Sequence, residues 1–405
     1  MSHTKINLMH VTLNLGVAGL ERVVTELSLK MNRDIFNVEV CCFSALGHFA
    51  DVLENNGIKV TLLQRNPNHF DATHPWHVGS FLKKKKVHLL HAHTGTFFTG
   101  TVAAKLAGVP AIFYTEHGRF IVDPLVRLVE DRISVQFTDK VIAVSPELRD
   151  RLIKQVRFPA RKVIVVANGV NMELFCPRPK PKGVMSDLKI PDNCRIIGAV
   201  GRFEPVKDHL TMIRAFEIVS GRLPDLALLL VGDGSLRSTL YEYVNSHNLR
   251  NRVFFAGIRN DIPAMLNLMD VFVLSSLSEG TSVSLLEAMA SGVVPVVTDV
   301  GGNPSIVDNM INGLVVKPQN PMQMADAIYG LLVDDQIRSL YCQNAVEKIR
   351  RNYSLDRTVE IYTDLYLGVL KNKRKFKKSL SDLRLETPPI GAEHDDNTEK
   401  NPEPR

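Results

Sequence analysis

Val271-Phe272-Val273-Leu274, then Ser278-Glu279-Gly280-Thr281-Ser282-Val283-Ser284-Leu285-Leu286-Glu287-Ala288-Met289-Ala290-Ser291, then Pro295-Val296-Val297-Thr298 follow one another in the second half of the chain. The first and last runs read as buried strands and Ser284 to Ser291 as a helix, which places Glu279 in the connecting loop and Glu287 inside the helix. A strand, a helix and a strand in succession imply a parallel sheet covered on both faces. In such sheets ligands sit at the carboxyl ends of the strands, where helix N-termini offer free N–H groups to anions. A carboxylate beside a phosphate site suits sugar or ribose hydroxyls. The plainer alternative is that Ser278 and Glu279 cap the helix and Glu287 is solvated. Against it, Glu287 is flanked by Leu285, Leu286, Ala288, Met289 and Ala290, and an unpaired polar group there costs ~2 to 7 kcal/mol. A ligand or a specific partner must meet it.

The same alternation extends outward. Strand signals occur at 5–12, 38–43, 60–63, 87–91, 111–115, 141–144 and 163–166, and again at 195–200, 226–231, 253–255, 271–274, 295–298 and 314–316. After the first strand comes a glycine-bearing loop, Gly16 to Gly19, and a helix from Leu20 to about Met31. Pro177, Pro179, Pro181 and Gly183 interrupt the pattern between the two series. The expected organisation is a first domain over 1–170, a linker over 171–194, a second domain over 195–355 and a helix over 356–375 that packs back on the first domain. The tail, 376–405, is charged with few apolar residues and reads as disordered. The fold class is α/β, with two Rossmann-like doubly wound domains facing across a cleft.

Composition sets limits. The 405 residues exceed one typical domain, and 45% hydrophobic content is ample for two cores. A formal charge of +6 is too mild to imply nucleic-acid binding. The excess is local, at Lys83–Lys86 and at Lys371–Lys378, which read as solvated helix ends or as contacts to an anionic membrane. Five cysteines form no C-x-x-C pair and have no histidines at metal spacing, which fits a reducing compartment. Neither a leader-like start nor an apolar run of membrane-spanning length is present. The expectation is a cytoplasmic protein, with possible peripheral contact on the inner face of the plasma membrane.

Gly201-Arg202-Phe203-Glu204-Pro205-Val206-Lys207 follows the first strand of the second series, the place where a doubly wound fold binds phosphate. Arg202 supplies a bidentate fork and Lys207 a point charge, which together suit a diphosphate. With Val231-Gly232-Asp233-Gly234, Gly257, the stretch from Ser278 to Gly292, Gly301-Gly302-Asn303-Pro304 and Asn312-Gly313-Leu314, the second half resembles the donor domain of the retaining glycosyltransferases of family 4. The first half matches in Gly19-Leu20-Glu21-Arg22-Val23-Val24, His91-Ala92-His93, Thr115-Glu116-His117-Gly118 and Asn168-Gly169-Val170-Asn171 with Phe175. Coverage reaches about residue 370.

The resemblance implies the two-domain GT-B architecture and a nucleotide-diphospho-sugar donor, UDP- or GDP-linked, with no other cofactor. It implies that Arg202 and Lys207 hold the diphosphate, Glu287 the ribose and Glu279 the transferred sugar. Gly280, Thr281 and Ser282 would approach sugar and phosphate through their backbone, and Gly257 with Ile258 would border the base. Gly19 would face the phosphates when the cleft closes, and His117 would lie beside the reacting sugar. The catalytic set is then His117, Arg202, Lys207 and Glu279. His91 and His93 read as buried and hydrogen-bonded. The implied chemistry is transfer with retention, without a protein nucleophile, to a glycan or lipid-linked acceptor in surface or extracellular polysaccharide assembly. No Asp-x-Asp pair stands in a strand-end loop, so no metal site is expected.

Two positions depart from the pattern: Ala18 stands where many members have a second glycine beside Gly19, and Ser305 stands where Glu is usual. Two other functions share the architecture, a nucleotide-sugar 2-epimerase and a non-catalytic nucleotide-sugar-binding subunit. A nicotinamide dehydrogenase is disfavoured because the first loop lacks Gly-x-Gly-x-x-Gly. Acceptor recognition is expected from first-domain loops such as Asn66–Trp76.

Overall fold

The structure is a computed structural model that describes residues 5–64, 73–119 and 124–373. The expected disordered tail, 376–405, and most of the loop 66–76 lie outside the described residues. In the first half β1 (Ile6–Thr12), β2 (Phe36–Cys42), β3 (Lys59–Leu62), β4 (Leu89–His93), β5 (Ala111–Glu116), β6 (Lys140–Ala143) and β7 (Val163–Val165) pair in the order β3-β2-β1-β4-β5-β6-β7. In the second half β8 (Arg195–Val200), β9 (Leu226–Val231), β10 (Val253–Gly257), β11 (Val271–Leu274), β12 (Val294–Thr298) and β13 (Leu314–Val316) pair as β10-β9-β8-β11-β12-β13. These pairings are all parallel. Each sheet reverses its strand order once, between β1 and β4 and between β8 and β11. Those two reversals are where an open α/β sheet leaves a crevice for a ligand.

The apolar runs follow from burial on both faces. Phe272 and Leu274 enter one core of the second domain while Val271 and Val273 enter the other, as the two-residue period of a strand requires. In β1, Ile6 and Leu8 face one core and Met9 and Val11 the opposite one.

The chain crosses between the domains twice. Segment 171–194 is not a loose strap: Phe175, Met185 and Ile190 are buried in the second domain's core, and a short helix forms at Val184–Asp187. The final helix, Leu355–Lys371, buries Tyr362, Tyr366, Leu367 and Leu370 among Ile6, Leu8, Leu89 and Phe113 of the first domain. The two crossings are hydrogen-bonded to each other, Val170 N to Tyr353 O at 2.9 Å and Leu355 N to Val170 O at 2.9 Å. No helix among the described residues is long and apolar enough to cross a membrane.

Candidate active site

Lys207 ends a short 3-10 turn, Pro205–Lys207, between β8 and the helix His209–Ser220. The turn is fastened to the loop after β11: Ser275 Oγ donates to Lys207 O at 2.9 Å and Leu277 N to Val206 O at 2.8 Å. Asp208 caps the following helix in the left-handed region, φ 44°, a conformation that persists for a non-glycine residue only where its surroundings enforce it. Lys207 is thereby aimed at Glu279. Its Nζ donates to Glu279 Oε1 at 2.5 Å, and Ser276 Oγ donates to the same oxygen at 2.6 Å. Arg202, in the same loop after β8, is exposed and in no ion pair among the described residues. Its field reaches across the cleft to Glu21, whose carboxyl burial pushes up and Arg202 pulls back down.

Close backbone approach builds the sugar side. A Cβ on Gly280 would lie 2.5 Å from His117 O, and one on Gly302 would lie 2.2 Å from Gly280 O. Only glycines let three loops from two domains stack here. Thr281 and Ser282 are buried; Thr281 Oγ1 donates to Val144 O, and Asn168 Nδ2 donates to Thr281 O at 3.4 Å. Ser282 precedes the helix Val283–Ala290, whose first N–H groups are free for an anion. Gly19 starts the helix Gly19–Lys30, and a Cβ there would touch Val283 at 3.5 Å, so Gly19 faces the second domain directly. Gly257 and Ile258 sit apart at the end of β10. Gly257 is linked to the rest through Gly232, whose N–H donates to its carbonyl at 2.8 Å, while the Ile258 side chain is exposed.

Glu287 is 4% exposed. Its partner is Arg22 of the first domain, Nε to Oε1 at 3.3 Å, an ion pair that leaves Oε1 without a hydrogen bond. Burial raises the Glu287 carboxyl to about 8; Arg22 opposes this and Glu26 adds to it. Glu26 is itself raised to about 7 by burial, again opposed by Arg22. One guanidinium thus serves two carboxyls, and the domain interface favours their protonated forms.

His117 closes a line of imidazoles. Its Nε2 lies 3.1 Å from His93 Nδ1, and His93 Nε2 lies 3.1 Å from His10 Nδ1. Burial lowers His117 to about 4, opposed by the Asn168 side chain, and lowers His10 to about 3. All three rings are therefore neutral near pH 7, and each shared nitrogen pair holds one proton. His10 Nε2 is buried without a partner. The other end of the line, His117 Nδ1, is in the same state, but the Asn168 side chain favours a protonated His117, so the N–H is assigned to that end and the protons run His10 Nδ1–H to His93 and His93 Nδ1–H to His117. That order leaves His117 Nδ1, also unpartnered, as an N–H donor. His91 stands aside, 2.6 Å from Tyr366 OH and 2.7 Å from Thr115 Oγ1. His10, His91 and His93 are close enough to invite comparison with a metal centre. Every ring nitrogen among them except His10 Nε2 already has a hydrogen-bond partner, so the cluster reads as a hydrogen-bonded network.

A cavity of about 680 Å³ opens in the first domain beside this line, walled by Leu13, Leu20, Trp76, Phe97 and Phe98 with Glu21 and Arg127 among its polar groups.

The profile described as glycosyl transferases group 1 matches residues 184–349, and that described as Glycosyltransferase Family 4 matches residues 17–174. An Escherichia coli protein, UDP-Gal:alpha-D-GlcNAc-diphosphoundecaprenol alpha-1,3-galactosyltransferase, is 30% identical over 388 residues, covering 92% of this chain and 99% of its own. The chain belongs to glycosyltransferase family 4. As a family-4 glycosyltransferase it shares the GT-B fold of a Rickettsia africae glycosyltransferase, TM-score 0.80 at 20% identity over 92% of this chain and 100% of that one. It likewise resembles Anabaena HepE, solved with UDP and glucose, TM-score 0.79 at 22% identity over 90% of this chain and 100% of that one.

Several residues of this family-4 site were not assigned roles from the sequence. Arg22 lies in the quoted motif Gly19–Val24, yet only the folded contact shows that it meets Glu287. Glu21, Glu26, Asn168 and His10 are likewise placed by the fold. At Ser305, one of the two departures from the family pattern, the hydroxyl donates to Glu147 Oε1 of the first domain at 3.2 Å.

Proposed function

We propose that this glycosyltransferase moves a sugar from a UDP- or GDP-linked donor to a glycan or lipid-linked acceptor in surface or extracellular polysaccharide assembly, with retention at the anomeric carbon and independently of a metal ion. The observation that carries the reading is the joined Lys207–Glu279 pair at the reversal of the second sheet, with Arg202 exposed in the same loop after β8 and His117 O packed on Gly280. A diphosphate would take Arg202 directly and share Lys207 with Glu279, which is freed to accept hydroxyls of the sugar. As the bond from the anomeric carbon to the diphosphate oxygen breaks, negative charge grows on that oxygen. Arg202 and Lys207 stabilise it, carrying charge that a divalent cation would otherwise supply, and such fixed electrostatics are the largest catalytic contribution in many enzymes. The acceptor hydroxyl attacks on the same face and passes its proton to the departing diphosphate oxygen. His117 Nδ1–H donates to the sugar and takes no proton, consistent with its lowered pKa.

The acceptor reading is supported by the E. coli relative, whose name gives a diphosphoundecaprenol-linked acceptor, and by the apolar walls of the first-domain cavity. A cytoplasmic location at the inner face of the plasma membrane, with Lys83–Lys86 near anionic lipid, belongs to the same proposal.

The test is a transfer reaction with UDP- and GDP-sugars and a lipid-diphosphate-linked glycan acceptor, run with and without EDTA, the product's anomeric linkage being read by proton NMR. An α-linked product from an α-linked donor, formed equally with EDTA, is expected. A β-linked product, or loss of turnover in EDTA, contradicts the mechanism. Release of an isomerised sugar without acceptor identifies an epimerase instead.

A further inference from the structure

We propose that Arg22 of the first domain is a positioning residue of the ribose subsite: it balances the charge of Glu287 and fixes its aim while leaving an oxygen open to a ribose hydroxyl, so that this subsite of the second domain is complete only while the two domains touch. The inference rests on the reading of Glu287 as the ribose residue of a nucleotide donor.

The second domain by itself gives Glu287 no counter-ion among the described residues. Leu285, Leu286, Ala288 and Met289 around it are fully buried. Of the helices packed against Val283–Ala290, Ile262–Leu268 carries no ionisable side chain. On the other, Asp335–Asn352, the cations are engaged elsewhere: Arg338 with Asp335, Lys348 with Asp308, and Arg350 and Arg351 with Glu347. A carboxylate left alone in such a setting is costly to ionise. The cation that reaches it comes from the helix Gly19–Lys30 across the cleft.

Arg22 is itself held from both sides. Its guanidinium lies over the Phe49 ring of the first domain at 5.6 Å from the centroid and over the Phe175 ring at 5.7 Å. Phe175 belongs to the chain crossing and is buried in the second domain's core. The cation therefore meets the second domain at two points, an aromatic face and a carboxylate, and both contacts orient it.

The pair balances charge without a hydrogen bond. Arg22 Nε stands 3.3 Å from Glu287 Oε1, yet that buried oxygen has no hydrogen-bond partner. A carboxylate oxygen in this state calls for an O–H or N–H donor. A ribose hydroxyl supplies one, whereas an ionised phosphate has acceptors only. Glu26, one turn along the same helix, works against the arrangement. Burial raises both carboxyls, Arg22 opposes the rise in each, and Glu26 adds to it at Glu287.

The test is calorimetric binding, at about pH 8, of UDP, GDP and their 2′,3′-dideoxy analogues to the full chain as wild type, Arg22→Met, Arg22→Lys and Glu26→Gln. For the ribonucleotide that wild type binds, Arg22→Met should weaken binding about tenfold. Arg22→Lys should recover part of the loss because it restores the charge, and Glu26→Gln should tighten binding because Arg22 then serves Glu287 alone. For the dideoxy analogue, which has no ribose hydroxyl to offer Glu287, Arg22→Met should bind as wild type does. A general structural role for Arg22 weakens both nucleotides alike, and that result, or an Arg22→Met that binds the ribonucleotide as tightly as wild type, would overturn the proposal while leaving the donor reading in place. Thermal melting checks that the variants are folded; should Arg22→Met melt below the assay temperature, Glu26→Gln decides, and no gain in its affinity overturns the proposal. Wild type that binds neither UDP nor GDP overturns the donor reading, and this inference with it.

Discussion

Glu287 and His117 are both buried titratable groups at the cleft, and burial moves them in opposite directions. Glu287 is raised from 4.5 to about 8, so the folded state favours its proton. Its contribution is fully present below about pH 4.5 and is lost as pH rises through about 8. Glu287→Gln should therefore flatten the fall in melting temperature between those limits while weakening nucleotide affinity. A melting profile as steep as that of wild type would show that Glu287 is not the titrating group. His117, lowered from 6.5 to about 4, has the opposite sign: its contribution is present above about 6.5 and is lost as pH falls through about 4. His10 belongs to the same neutral network but touches neither Gly280 nor Lys207 in any contact described. Replacing His10 by Phe takes away the donor to His93 and frees the proton order. Expected are a lower kcat with little change in KM and altered imidazole nitrogen shifts at His117. Shifts that stay at the wild-type values would mean that His10 does not set the proton order.

Loop backbones hold these groups in register. Gly302 lies against Gly280 O, and its own N–H donates to that carbonyl at 3.1 Å. Gly302→Ala forces the Glu279 loop to move by about an ångström, which should cost about a hundredfold in kcat with the second domain still folded by circular dichroism. Wild-type turnover in this variant would show that the loop stacking is dispensable. At this scale much was legible in the sequence. Strands such as Val271–Leu274 and Leu226–Val231 are apolar without interruption because both faces are covered, and that pattern is local. The apolar setting of Glu287 likewise announced that something must meet it. That the partner is Arg22, more than 260 positions earlier in sequence, was not legible, because an ion pair across a domain interface leaves no periodic trace.

The whole molecule is two doubly wound domains joined by two adjacent crossings at Val170 and Ser354. The final helix bonds the first domain through Tyr366, whose hydroxyl lies 2.6 Å from His91 Nδ1. Tyr366→Ala should destabilise the first domain by about 3 to 5 kcal/mol, and Tyr366→Phe by about 1 to 3 kcal/mol, since His91 then loses a buried partner. Chemical denaturation measures both, and equal, negligible losses would mean that the helix is not part of that core. Across the cleft, Arg22–Glu287, Thr281–Val144, Asn168–Thr281 and Ser305–Glu147 are polar contacts, as suits domains that open to admit a donor. The most direct measurement is titration calorimetry of UDP- and GDP-sugars, in EDTA, into wild type, Arg202→Ala and Lys207→Ala. Binding by wild type, weakened about tenfold or more in each variant, is expected. No binding of either donor class by wild type, or variants that bind as tightly as wild type, would contradict a diphosphate held at this cleft.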